Sequence, residues 1–62
     1  SELSAQVCRA HTMVCHSLEH AYDSAADSEA QDSWFENAGY WAGDAQRLLR
    51  KLKKLRGERI AQ

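Results

Sequence analysis

The amino-acid sequence predicts an all-α fold: a two-helix antiparallel hairpin that dimerises into a four-helix bundle. Three observations carry this. Proline is absent and glycine occurs only three times, so nothing divides the chain into many short strands. Apolar residues recur at spacings of three and four in both halves, which is the period of a helix face. Between the halves, residues 24–33 turn polar and lose their bulky side chains until Trp34.

The first helix is expected over about residues 3–25. Leu3, Val7, Ala10, Val14, Leu18, Ala21 and Ala25 form its apolar stripe. On a helical wheel His11, Cys15 and Tyr22 fall beside this stripe, whereas Arg9, His16, His20 and Asp23 point the other way. Two capping boxes follow, Ser28 with Gln31 and Ser33 with Glu36, and Ser28 is the expected cap of the second helix. Asp27, Glu29 and Asp32 suit the positive end of that helix's dipole.

The second helix is expected over about residues 29–56, followed by a short basic C-terminal end. Trp34, Ala38, Trp41, Ala45, Leu48, Leu52 and Leu55 alternate at intervals of four and three, the seam spacing of packed helices. Phe35, Gly39, Ala42 and Leu49 run alongside and widen the apolar arc to about half the helix, beyond the ~100° one neighbour covers. Gly57 fits a C-cap, and the bases before it complement the negative dipole end.

That excess width, in a single domain of 62 residues with ten alanines and only six leucines, calls for a partner. A second copy fulfils the requirement by closing a four-helix bundle. The expected dimer interface comprises Trp34, Phe35, Ala38, Trp41, Ala42, Ala45, Leu48, Leu49 and Leu52. Gly39 and Gly43 are either close helix contacts or tolerated surface glycines, each unfavourable by ~1 kcal/mol relative to Ala.

The formal net charge is −1, but its layout is uneven. Residues 1–45 hold eight acidic residues against the single base Arg9, and residues 46–62 hold seven bases against the single acid Glu58. Folding into a hairpin gathers acid at the loop end and base near the chain termini, so an antiparallel pairing of subunits is expected. Arg47, Arg50, Lys51 and Lys54 make one basic stripe and are the expected partner-binding residues, extended by Tyr40 and the Gly39/Gly43 surface. Phosphate backbones, membranes and acidic protein grooves all attract such a stripe. The aromatics belong to the core stripes, so a base-stacking platform is not indicated.

Chemistry-bearing constellations are sparse. His16, His20 and Asp23 lie at i, i+4 and i+7, a spacing that offers two imidazoles and a carboxylate to zinc. The Glu of the zinc-protease pattern is missing between the histidines, so a solvated polar face is the plainer reading and no metal or other cofactor is expected. His11 falls inside the apolar stripe, as a core histidine or one whose charging loosens an interface. Cys8 and Cys15, seven residues and ~10 Å apart on one helix, are beyond disulfide reach and read as small buried hydrophobes. A reducing cytoplasm is therefore the expected compartment, with a secreted protein linked by an intermolecular disulfide as the alternative. No apolar run approaches the ~20 residues of a membrane helix and no signal-peptide pattern opens the chain. The expected function is non-enzymatic: a homodimeric helical module that binds another protein as a regulator, inhibitor or adaptor. The alternative is a nucleic-acid-binding accessory protein using the basic stripe.

Overall fold

The computed structural model describes residues 2–61, with side-chain environments through Gly57. It is all-helical: α1 (Glu2–Asp23) and α2 (Ser28–Ala61) pack against each other. Gln31 meets Ala21, Trp34 meets His20 and Asn37 meets Ser17, so numbering falls along α1 as it rises along α2. The helices are antiparallel.

The connection is short and uses no left-handed residue. The Ser24 amide donates to both His20 and Ala21 carbonyls at 3.0 and 3.2 Å, and Ala25 to Tyr22 at 3.3 Å, tightening the last turn of α1. The Asp27 amide then donates to the Ser24 carbonyl at 2.9 Å. Helix one therefore ends at Asp23, leaving Ala25 exposed in the turn rather than on the stripe.

The start of α2 differs from expectation. Asp27, not Ser28, is the cap: its Oδ1 accepts the Ala30 amide at 3.2 Å, and its carbonyl accepts the Gln31 amide at 2.9 Å. A carboxylate here also meets the positive end of the helix dipole, which a serine hydroxyl does not. Gln31 is spent elsewhere, donating from Nε2 to the Ala21 carbonyl at 3.1 Å, a second donor beside the Ser24 amide at the end of α1. Ser33 and Glu36 lie inside α2.

The far end differs as well. Gly57 does not cap α2; the helix continues through it to Ala61, and no glycine adopts a positive φ. A glycine ends a helix only if the chain reverses there, and nothing in this fold turns the chain at that point.

The packed face of α1 is rotated relative to the apolar stripe. Ala10, Ser17 and Ala21 are its buried residues. Gln6, Met13, His20 and Ser24 are half-buried on one side of that line, and Val7, Val14 and Leu18 on the other. Small side chains along the centre let α2 approach, and the bulky stripe straddles the edge of the contact. Ser17 is tolerated there because its hydroxyl donates to the Met13 carbonyl at 2.8 Å and accepts from Asn37 Nδ2 at 2.8 Å. His11, Cys8 and Cys15 are exposed, so they are not core residues, while His20 turns inward.

On α2 the seam residues Ala38 and Leu48 are buried, and Trp34, Trp41, Ala45 and Leu52 half-buried, whereas Leu55, the last of the expected seam, is exposed because α2 there runs past the start of α1. Leu48 is the one bulky side chain buried among the described residues. The molecule measures 54 × 14 × 11 Å, and its longest dimension is α2 itself, 34 residues at ~1.5 Å each. With 22 residues, α1 spans only ~33 Å, and α2 runs on past it. The radius of gyration is 15.1 Å, against the ~10.6 Å of a compact chain of this length. This is a rod with a seam rather than an enclosed core.

Candidate functional site

Two open grooves border the seam. One is lined by Gln6, Arg9, Ala10, Trp41, Asp44, Arg47 and Leu48. The other sits where α2 passes the first turn of α1, among Glu2, Leu3, Ser4, Leu49, Leu52, Lys53, Leu55 and Arg56.

The apolar surface left over is more informative. Phe35 is 42% exposed, Leu49 50% and Leu55 45%. At ~100° per residue, Phe35, Ala42 and Leu49 flank the seam on the side opposite the Arg9–Arg47 groove. Val7, Val14 and Leu18 of α1, all half-buried, lie on that same side, so both helices carry apolar residues there. Of the nine positions expected at a dimer interface, Trp34, Ala38, Trp41, Ala45, Leu48 and Leu52 serve the contact between α1 and α2. Phe35 and Leu49 are turned outward, with half-buried Ala42 between them.

The basic stripe lies elsewhere, meeting the first groove only at Arg47. Gly39, Tyr40, Gly43, Arg47, Arg50, Lys51 and Lys54 are all exposed and fall within one arc on the side of α2 turned away from α1. Arg47 pairs with Asp44 one turn earlier, the one ion pair among the described residues. At 65% side-chain exposure, Arg47 contributes little stability through it. Tyr40 is 66% exposed and leans edge-on against Trp41, with ring centroids 5.2 Å apart. A Cβ at Gly39 or Gly43 would meet nothing within 4 Å, so neither glycine serves the contact with α1.

The histidine face divides. His16 and His20 come together, with their Nε2 atoms 3.1 Å apart and rings edge to face. Trp34, from the other helix, stacks on His20 with centroids 4.3 Å apart and planes within 14°. Asp23 does not join them: no group of three or more His, Cys, Asp or Glu side chains that could hold a metal occurs among the described residues. His11 lies instead beside Cys15, Nε2 to Sγ 3.7 Å. The inward turn of His20 was missed by a wheel scored on hydrophobicity, because the ring that holds it, Trp34, comes from the other helix.

No helix among the described residues is long and apolar enough to cross a membrane. Comparison of the chain with protein-family models, with curated proteins and with solved structures finds no match.

Proposed function

We propose that this chain is a non-enzymatic helical interaction module that works as an antiparallel homodimer and binds another protein as a regulator, inhibitor or adaptor. The observation that carries this reading is surface area. The hairpin exposes 4921 Å², where a compact monomer of its mass exposes ~4,000 Å². The excess, about 900 Å², is close to the ~800 Å² each partner contributes to a standard interface. Phe35, Ala42 and Leu49, with Val7, Val14 and Leu18, supply an apolar face for it, and a second hairpin laid there makes a four-helix bundle. Antiparallel pairing sets the acidic loop end of one subunit against the basic end of the other. The free, exposed thiols of Cys8 and Cys15 suit a reducing compartment such as the cytoplasm.

In this reading the stripe of Arg50, Lys51 and Lys54 meets the protein partner. A second reading, nucleic-acid binding, is favoured by the exposure of those three bases, which make no ion pair among the described residues.

Sedimentation equilibrium tests the assembly: about twice the chain mass at micromolar concentration is expected, and a compact, fully folded monomer there refutes it. The double variant Arg50→Glu, Lys54→Glu is expected to remain dimeric while losing the partner in a pull-down. A dimer that weakens and recovers at high salt assigns the stripe to assembly instead. Competition by bulk DNA assigns it to nucleic acid.

A further inference from the structure

We propose that His16 and His20 form a two-nitrogen binding site for an exchangeable divalent transition-metal ion of the nickel, copper and zinc class. Their Nε2 atoms stand 3.1 Å apart. Without a metal, that distance is a hydrogen bond, with one ring donating N–H and the other accepting on its lone pair. When the donor ring shifts its proton to Nδ1, both Nε2 lone pairs are available to one ion. Two nitrogens 3.1 Å apart and each ~2.0–2.1 Å from an ion subtend about 98° there. That lies between the about 90° of square-planar or octahedral and the about 109° of tetrahedral coordination, so the spacing suits either once the rings, now edge to face, rotate to aim both lone pairs at the ion.

A second observation favours a site over an accident of the surface. Trp34 reaches across from α2 to stack on His20, centroids 4.3 Å apart and planes within 14°. One of the two ligands is therefore held by the tertiary fold, and its partner by the helical register. His16 is exposed and His20 half-buried, so water can complete the coordination shell. Imidazole nitrogen selects this class of ion over magnesium and calcium, which take oxygen ligands. With two protein ligands and no third, the ion exchanges freely and the hairpin does not depend on it for folding. Because the pair exists only in the helix, the ion binds the folded chain preferentially and raises its Tm.

The competing site is His11 with Cys15, also one turn apart, but with Nε2 and Sγ at 3.7 Å and no ring from α2 against either. The His16/His20 pair lies on the opposite side of the hairpin from the Phe35/Leu49 face, so its occupancy and dimerisation are separately measurable.

Nickel chloride is a suitable probe because it ranks above zinc for nitrogen sites. Calorimetric titration of the full chain is expected to give one Ni²⁺ per chain and a Tm that rises with Ni²⁺ but not with Mg²⁺. His16→Ala and His20→Ala are each expected to weaken binding at least about tenfold, with His16→Ala retaining helicity and His11→Ala binding as the parent does. In a Trp41→Phe background Ni²⁺ is expected to quench Trp34 emission, and His16→Ala to abolish that quenching. Three results overturn the proposal: no saturable Ni²⁺ binding, binding unchanged by both histidine substitutions, or binding lost on His11→Ala or Cys15→Ser.

Discussion

Near the loop, α1 and α2 are joined by directional contacts: Gln31 on the Ala21 carbonyl, Trp34 stacked on His20, and Asn37 on the Ser17 hydroxyl. Toward the start of α1 the contact passes instead to leucines, Leu3 against Leu49, Leu52 and Leu55, around an open groove. Hydrogen bonds and ring stacks fail when one helix slides by a turn, whereas a row of leucines finds new leucines. Register is therefore set at the loop end. The far end, where Leu49 and Leu55 remain about half exposed, supplies undirected apolar surface. That surface continues the Phe35/Ala42/Leu49 face proposed for a second chain.

The largest expected effect tests this division directly. Trp34→Ala removes the stack on His20 and should destabilise the hairpin by about 3 kcal/mol, the lower end for a tryptophan truncation because the ring is half-buried. A single small core supplies only ~3–5 kcal/mol, so this variant should keep no more than ~0–2 kcal/mol and be partly unfolded in dilute solution. Leu49→Ala, in dilute solution, should lose about 1 kcal/mol or less, since half of that side chain already faces water. Urea denaturation of both variants at low and high protein concentration separates the two ends. Equal losses in the dilute monomer would break the comparison. A Leu49→Ala loss that grows with concentration would sharpen it.

The α2 seam was legible in the sequence because Trp34, Ala38, Trp41, Ala45, Leu48 and Leu52 keep their spacing without interruption. So was the surplus at Phe35 and Leu49, which only a count of apolar width detects. On α1 the periodicity gave the helix and two of its three buried residues, Ala10 and Ala21, but not the centre of the packed face. A hydrophobic wheel centres on Val7, Val14 and Leu18, yet the packed line runs through Ala10, Ser17 and Ala21. What decides is how closely α2 can approach, and that depends on small size rather than on hydrophobicity. Ser17 scores as polar on any wheel, but its hydroxyl is satisfied by the Met13 carbonyl and Asn37, so burying it leaves no polar group unpaired. The His16/His20 pairing was legible as spacing. The stack on Trp34 was not, because the loop geometry that aligns the two helices is needed to place it.

The loop end gives a smaller test. Asp27→Ala removes the acceptor for the Ala30 amide and a charge at the helix dipole, and should cost about 1 kcal/mol. Ser28→Ala should fall within about ±0.5 kcal/mol, as an exposed substitution outside any cap does. Thermal unfolding of the pair checks this. A larger loss at Ser28 would restore the serine cap and shift the start of α2 by one residue.

The smallest effect is the one whose sign carries information. Gly39 lies in the middle of α2 beside Phe35 and Ala42, and a Cβ built there meets nothing within 4 Å. Its backbone is helical with no positive φ, so alanine fits without strain. Within one hairpin Gly39→Ala should therefore stabilise α2, by up to about 1 kcal/mol through helix propensity alone. The same substitution acts differently if a second hairpin packs closely on the Phe35/Leu49 face. There the added methyl stands between two helix backbones, and overpacking of that kind costs ~1–3 kcal/mol, more than propensity returns. Gly57→Ala is the control: it too has open space around it and lies in the part of α2 beyond the first turn of α1. Measured by urea denaturation, Gly57→Ala should stabilise modestly at every concentration. Gly39→Ala should stabilise the dilute chain and destabilise the concentrated one, crossing over where the parent begins to dimerise. Stabilisation at all concentrations would show that no helix approaches Gly39 closely, and would move the dimer contact away from the apolar face argued for here.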